Sequence, residues 1–406
     1  MKSFEIPAFY RSPLISTIKQ FRKSEDKMKK DFTPTKLDFG PIEIYLARHF
    51  GFCYGVENAI EIAFQTVNEN PGKRIFLLSE MIHNPQVNAD LIKNGVRFIM
   101  DTVGNHFVEW DELNQDDIII IPAFGTTLET EAKLRSIGID PLKYNTTCPF
   151  VEKVWNRSEQ IGKKGYTIII HGKPMHEETR ATFSHSSFNS PSLVVKDLNE
   201  AKALEKYILK QVDLTQFYDE FKGQYSINFN VETDFDRIGV VNQTTMLASD
   251  TQEIADYLKE IVSQYESIDH QRFADTKDTL CYATNDNQSA VVGLLETEAD
   301  LAIVVGGYNS SNTSHLVELC EQKLPTYFIE NELKILSNGS IQHYLIHDSK
   351  EIITSNFLPT KEKVKVLITS GASCPDAVVE TVIHKLLDAY PESFSVEKVQ
   401  HEILNG

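Results

Sequence analysis

Cysteine is scarce in this chain, and so are tryptophan and methionine: 406 residues carry 5, 2 and 6 of them. An odd, scattered set of thiols makes a poor disulfide framework, so a reducing compartment, the cytoplasm, is the expected one. No apolar run approaches the roughly 18 residues that a membrane span needs, and the start lacks the apolar centre of a secretion signal. Positive charge is in deficit as well. Forty Lys and Arg against 58 Asp and Glu leave −18, which removes any long-range pull on nucleic acid. The GxGxxG fingerprint of a dinucleotide site is missing after the first apolar run, which argues against a nucleotide-binding module.

The basic charge that exists gathers at the start. Residues 1–40 hold nine Lys or Arg and five Asp or Glu, a local balance of +4. Residues 1–41 are expected to form an arm packed on the surface or partly disordered.

From Ile42 onward short β-branched runs alternate with longer amphipathic ones. Ile42 to Leu46, Arg74 to Leu78, Asp117 to Ile121, Thr167 to Ile170, Leu193 to Val195, Arg237 to Val241, Leu301 to Val305, Thr326 to Ile329 and Val364 to Ile368 read as strands. Their apolarity is continuous rather than alternating, the mark of parallel sheet covered on both faces. Ser249 to Ser263, with a Ser-Asp-Thr capping start, and Asp376 to Ala389 read as helices. The fold class is α/β with several small parallel sheets. Residues 197–236 are charged and weakly periodic, and read as an insertion on the surface.

Three cysteines stand at turns beside Gly, Pro or Thr: Cys53 in Gly51-Phe52-Cys53-Tyr54-Gly55, Cys148 in Asn145-Thr146-Thr147-Cys148-Pro149 and Cys281 in Cys281-Tyr282-Ala283-Thr284. A helix starting just after Cys53 would favour its thiolate. Cys320 falls in a helical stretch and reads as a buried, inert thiol. Zinc fits poorly, because structural zinc closes four ligands with local pairs. An iron–sulfur cube on three thiolates would leave one iron open to a substrate oxygen. Strand ends also carry Gly- or hydroxyl-rich turns, namely Asn242 to Thr245, Gly306 to Asn312 and Thr369 to Asp376. Free N–H groups and small donors at such turns make anion sites without lysine.

In order along the chain, Gly51-Phe52-Cys53-Tyr54-Gly55-Val56, Glu80-Met81-Ile82-His83-Asn84-Pro85, the Cys148 motif and His176-Glu177-Glu178-Thr179 resemble motifs of the 4-hydroxy-3-methylbut-2-enyl diphosphate reductases. So do Asn242-Gln243-Thr244-Thr245, the Cys281 motif, Asn309-Ser310-Ser311-Asn312 and Gly371-Ala372-Ser373-Cys374-Pro375-Asp376. The resemblance runs from about residue 42 to 390. It implies three small parallel-sheet α/β domains around a pseudo-threefold axis, at 42–148 with Cys53, 149–280 with Cys148 and 281–406 with Cys281. A [4Fe–4S] cluster bound by these three cysteines would lie at the centre.

The implied reaction is the last step of the methylerythritol phosphate route to isoprenoids. Reductive loss of the allylic hydroxyl gives isopentenyl and dimethylallyl diphosphate. The resemblance makes Glu178 the proton-donating acid, a sealed carboxyl that is readily protonated, and Thr244 its relay to the substrate hydroxyl. His83, His176, Asn309, Ser310, Ser311, Asn312 and Ser373 would hold the diphosphate, and a ferredoxin or flavodoxin would bring electrons. One residue departs from the short bacterial pattern: Phe124, in Pro122-Ala123-Phe124-Gly125, replaces a histidine that touches diphosphate. This version resembles the plant and cyanobacterial long form and shifts phosphate contact toward His83. A hydro-lyase or redox sensor with the same three-thiolate cluster is the alternative; a sensor needs no diphosphate loops, and a carboxylate substrate calls for arginine.

Overall fold

The computed structural model describes residues 4–28, 30–264, 271–274 and 279–405. By internal contacts the chain divides into two units, one of residues 1–57, 83–86 and 282–406, the other of 58–82 and 87–281.

The first unit is built on a five-stranded sheet in the order Thr35–Asp38, Ile42–Leu46, Val364–Ser370, Leu301–Val305, Thr326–Ile329. The first pair is antiparallel and the rest are parallel, with Val366 opposite Ile44 and Ile368 opposite Ile303. Leu301–Val305 is buried along its whole length, as a continuous apolar run in a covered parallel sheet should be. The helices Ser311–Glu321, Asp376–Leu387 and Tyr282–Leu294 contribute Leu316, Val379, Ile383 and Val291 to the same core.

The second unit holds two three-stranded parallel sheets. Ile75–Leu77 lies between Val96–Phe98 and Ile118–Ile120, and Thr167–His171 lies between Ser192–Val195 and Ile238–Asn242. Every residue of Thr167–His171 and Ile238–Asn242 is buried. All nine anticipated strands form. Val96–Phe98 and the hairpin Ser340–Leu345 with Lys350–Ser355 escaped detection, because three residues carry no period and the hairpin strand Lys350–Ser355 stays largely exposed.

Four expectations need correction. The first segment is no loose arm: the helix Pro13–Glu25 is capped by the Ser12 side chain and buries Leu14, Ile15 and Ile18 in the main core, and Thr35–Asp38 adds an edge strand. The strand Ile42–Leu46, assigned to a domain ending at 148, instead hydrogen-bonds Val364–Ser370, because its buried ladder is completed from the C-terminal part of the chain. Residues 197–236 are no mere surface insertion. After the helix Leu198–Ile208 they bring Phe217, Phe221, Phe229 and Phe235 together, with the Phe217 ring 5.1 Å from both Phe221 and Phe229. Finally, the helix Ala248–Ser263 starts at Leu247 without a side-chain cap.

Replacing Ile15, which is fully buried, by Ala should cost about 2–4 kcal/mol, read as a fall in the denaturant midpoint of the unit. A change under about 0.5 kcal/mol would mean that the helix is a surface appendage after all.

Candidate active site

Each of the three turn cysteines is held by the same contact. Its backbone N–H donates to a carbonyl in a loop that follows a parallel strand: Cys53 to Ala372 O at 3.2 Å, Cys148 to Ala123 O at 2.9 Å, and Cys281 to Thr244 O at 3.2 Å. Each cysteine also precedes a helix, Tyr54–Glu69, Pro149–Gly162 or Tyr282–Leu294. The strand-end loops are Gly371 to Pro375, Pro122 to Thr126 and Asn242 to Thr245, so all three thiols sit beyond the carboxyl ends of sheets, where open α/β folds bind ligands. The pairing of cysteine with sheet is therefore shifted from the expected one. Cys53 belongs with the five-stranded sheet, Cys148 with Ile75–Leu77 and its neighbours, and Cys281 with Thr167–His171 and its neighbours, because each is anchored to a strand-end loop of that sheet.

In the first unit Gly51 has φ +79°, a backbone favouring glycine, and a Cβ there would meet Asp376 Oδ1 at 2.2 Å and Lys19 Nζ at 2.9 Å. Lys19 donates to Phe50 O at 2.9 Å and to Asp376 Oδ1 at 2.6 Å, tying the first helix to the Cys53 turn. The same unit gathers six of the expected anion-binding residues. Ser373 Oγ donates to His83 O at 3.1 Å, and Asn312 Oδ1 accepts from Ala372 N at 2.9 Å. Ser310 caps the helix Ser311–Glu321 by accepting from Thr313 N, and it also accepts from the Thr313 hydroxyl at 3.0 Å. With its lone pairs engaged, the Ser310 hydroxyl keeps its proton for a ligand. The amide nitrogen of Asn312, on a residue 4% exposed, has no partner among the described residues. A buried donor left unmet in this way costs stability unless a ligand or water accepts from it. Asn309 lies close by, its Oδ1 3.2 Å from where a Cβ on Gly307 would stand. Ser311 is buried at the first position of the helix.

In the second unit Glu178 is 1% exposed and accepts from the Thr244 backbone N–H and, at 3.0 Å, from the Thr244 hydroxyl. The carboxyl is thereby fixed in orientation. His176 caps the helix Glu177–Asn189, its Nδ1 accepting from Glu178 N at 3.2 Å. That contact assigns the proton to Nε2, which makes the ring a hydrogen-bond donor on its outer side. Phe124 meets the His176 ring edge-on, with centroids 5.5 Å apart. The aromatic ring thus braces the imidazole. Next to it Gly125 has φ +75°, and a Cβ there would stand 2.5 Å from Trp155, so the loop closes tightly over the Cys148 helix.

Burial pushes the Cys148 thiol up to about 12. The N–H groups of Phe150 and Val151 work the other way, while the neighbouring Cys281 and Glu178 raise it further. At Cys148 desolvation outweighs the N–H groups of the helix start. Metal binding must therefore displace a proton from Cys148. All five cysteines are thiols rather than disulfides; Cys53, Cys148 and Cys281 are partly accessible, whereas Cys320 and Cys374 are buried and pushed up to about 12 by burial. Among the described residues no three His, Cys, Asp or Glu side chains form a ready metal cage. The soft thiol pair Cys148 and Cys281, close enough to influence each other's charge, suits an iron–sulfur group all the same.

Three other histidines have structural roles: His171 Nδ1 pairs with the Thr251 hydroxyl at 3.0 Å, His185 stacks 3.8 Å from Trp155, and His49 meets Phe32 edge-on. Sequence reasoning missed Lys19, Gln243 and Thr313. Gln243 Oε1 accepts from Lys173 N and from the Thr179 hydroxyl, locking the Thr244 loop to the Glu178 helix. Thr313 packs so near Gly371 that a Cβ there would meet its hydroxyl at 2.0 Å. Only Gln243 had a signal, its place inside a quoted motif.

No helix among the described residues is long and apolar enough to cross a membrane. Comparison with known proteins gives one answer. A family model described as LytB protein matches residues 44–387. The chain is 40% identical over 353 residues to a 4-hydroxy-3-methylbut-2-enyl diphosphate reductase of Picosynechococcus sp., covering 86% of this chain and 85% of that one. It is 42% identical over 354 residues to the enzyme of the same description in Prochlorococcus marinus, with 87% of each covered. Among solved structures, one described as (E)-4-hydroxy-3-methyl-but-2-enyl diphosphate reductase, the terminal enzyme of the non-mevalonate pathway, aligns with a TM-score of 0.52 at 25% identity, over 85% of this chain and 99% of that one. A Plasmodium falciparum reductase structure shares the fold with a TM-score of 0.61 at 22% identity, over 85% and 87%. The chain belongs to the LytB family of 4-hydroxy-3-methylbut-2-enyl diphosphate reductases.

Proposed function

We propose that the protein reduces (E)-4-hydroxy-3-methylbut-2-enyl diphosphate to isopentenyl and dimethylallyl diphosphate, and that Cys53, Cys148 and Cys281 together hold a [4Fe–4S] cluster. The observation that carries this reading is the repeated anchoring of the three cysteines at strand-end loops, with Glu178 and Thr244 hydrogen-bonded beside Cys281. When bound, the cluster supplies electrons and Lewis acidity for breaking the allylic C–O bond. The balance is two electrons and two protons in, water and one allylic or homoallylic diphosphate out.

The chain's own residues do the rest. Glu178 gives a proton at its carboxyl to the leaving hydroxyl or to the allyl carbon, and Thr244, bonded to it through N–H and hydroxyl, orients both that carboxyl and the substrate alcohol. The diphosphate is gripped by His83, His176, Asn309, Ser310, Ser311, Asn312 and Ser373. The Nε2 proton of His176, the hydroxyl of Ser310 and the orphan amide of Asn312 are its donors. Neutral donors in buried loops bind the anion with little desolvation of cationic side chains. Electrons come from a small ferredoxin- or flavodoxin-type protein.

Two substitutions test the assignments. Glu178→Gln keeps an acceptor for the Thr244 N–H but loses the acidic proton; turnover with a chemical reductant under anaerobic conditions should fall by roughly 10²–10⁴ with iron content unchanged. Turnover within threefold of wild type would remove Glu178 from the proton path. Phe124→His should leave turnover within about tenfold, because a ring still braces His176, whereas Phe124→Ala should raise KM more than it lowers kcat. Equal loss in both variants would contradict the bracing role.

A further inference from the structure

The first unit carries a cleft of roughly 200 Å³ that no step of the reaction uses, and Cys53 lies in its lining. Its walls bring Lys19 and Lys23 of the first helix beside Arg48, Phe52 and Asp286. Arg48 is 7% exposed, hydrogen-bonds only weakly to Arg22 O at 3.3 Å, stands 3.9 Å from Asp26, and has no partner for its Nε among the described residues. A nearly buried guanidinium with an unmet donor on a basic cleft calls for an external acceptor, and a carboxylate supplies two. Lys19 is already spent on Asp376 and Arg48 stands near Asp26, so Lys23 and the unmet Nε–H of Arg48 are what the opening offers an acidic partner, with Asp286 the acid in its lining.

An apolar group is linked to the cleft wall through two ring contacts. Phe9 is 55% exposed, its ring lies 4.5 Å from Tyr10, and Tyr10 lies 5.7 Å from Phe52 in the cleft wall. An exposed aromatic beside a small basic rim has the makeup of a docking patch: one anchor, with charges that set orientation. Elsewhere the chain is acidic on balance, since residues 1–40 sum to +4 and the whole chain to −18. An acidic partner is therefore steered toward this face and repelled from the others.

We propose that the first helix and the Ala8–Tyr10 turn form the docking face for an acidic one-electron carrier protein, which passes its electrons inward by way of Cys53. The proposal rests on the reductase reading for its purpose, and on the cleft, Arg48 and Phe9 for its place. It also accounts for the position of a folded N-terminal segment that lies mostly outside the family match beginning at residue 44.

The test uses the full-length, cluster-loaded protein and a plant-type ferredoxin as probe. Binding is titrated at low salt for wild type, Phe9→Ser, Lys23→Glu and the double variant, and turnover is driven in parallel by ferredoxin and by reduced methyl viologen. The double variant should bind ferredoxin at least tenfold more weakly, with a shallower salt dependence. Its ferredoxin-driven kcat/KM should fall in proportion, while viologen-driven turnover stays within twofold. Unchanged ferredoxin binding, or equal loss with both reductants, overturns the proposal. If wild type turns over with neither reductant, the reductase reading fails, and the binding titration still decides whether this face docks the carrier.

Discussion

A single backbone hydrogen bond, made three times, sets the geometry on which the chemistry depends. Each turn cysteine offers its N–H to a carbonyl just past the end of a parallel strand. Such a loop is held in place by a covered sheet with a complete ladder, so the largely buried runs Val364–Ser370, Ile118–Ile120 and Ile238–Asn242 are the foundation of the thiols' positions. A one-residue slip in any of these strands would turn its side chains over and move the loop carbonyl away from its cysteine. Glycine at Gly51 and Gly125 lets the turns pass close enough, where any Cβ would strike Asp376 or Trp155.

The same loops explain how an acidic protein can hold an anion. Its negative charge sits mainly on solvated surfaces, whereas the strand ends present N–H groups, hydroxyls, an amide and an imidazole. His176 shows the logic at one residue: capping its own helix through Nδ1 fixes the tautomer that donates outward. Glu178, two residues on, is fixed by Thr244 from a different strand end. Helix capping and site construction are one set of contacts.

Much of this was legible in the sequence. Continuous β-branched runs such as Thr167 to Ile170 announced covered parallel strands, and the motifs around Cys53, Cys148 and Cys281 marked the turns. What stayed hidden was long-range. Nothing local to Ile42–Leu46 says that its partner is Val364–Ser370, so neither the sheet of this strand nor the pairing of cysteine with sheet is legible locally. Lys19 meets Asp376 across 357 residues of chain. The first helix was hidden for another reason: a basic, polar surface masked the buried stripe of Leu14, Ile15 and Ile18, which is short but complete. In residues 197–236 the charged residues mask the four phenylalanines that make its core.

The central claim is that three thiolates hold one cluster and leave one iron without a protein ligand. Mössbauer spectroscopy of protein reconstituted anaerobically with ⁵⁷Fe tests it most directly. The account predicts a [4Fe–4S] spectrum with one iron in about four distinct from the others, whose signal moves when the allylic diphosphate is added. Equivalent irons unmoved by the diphosphate would contradict it.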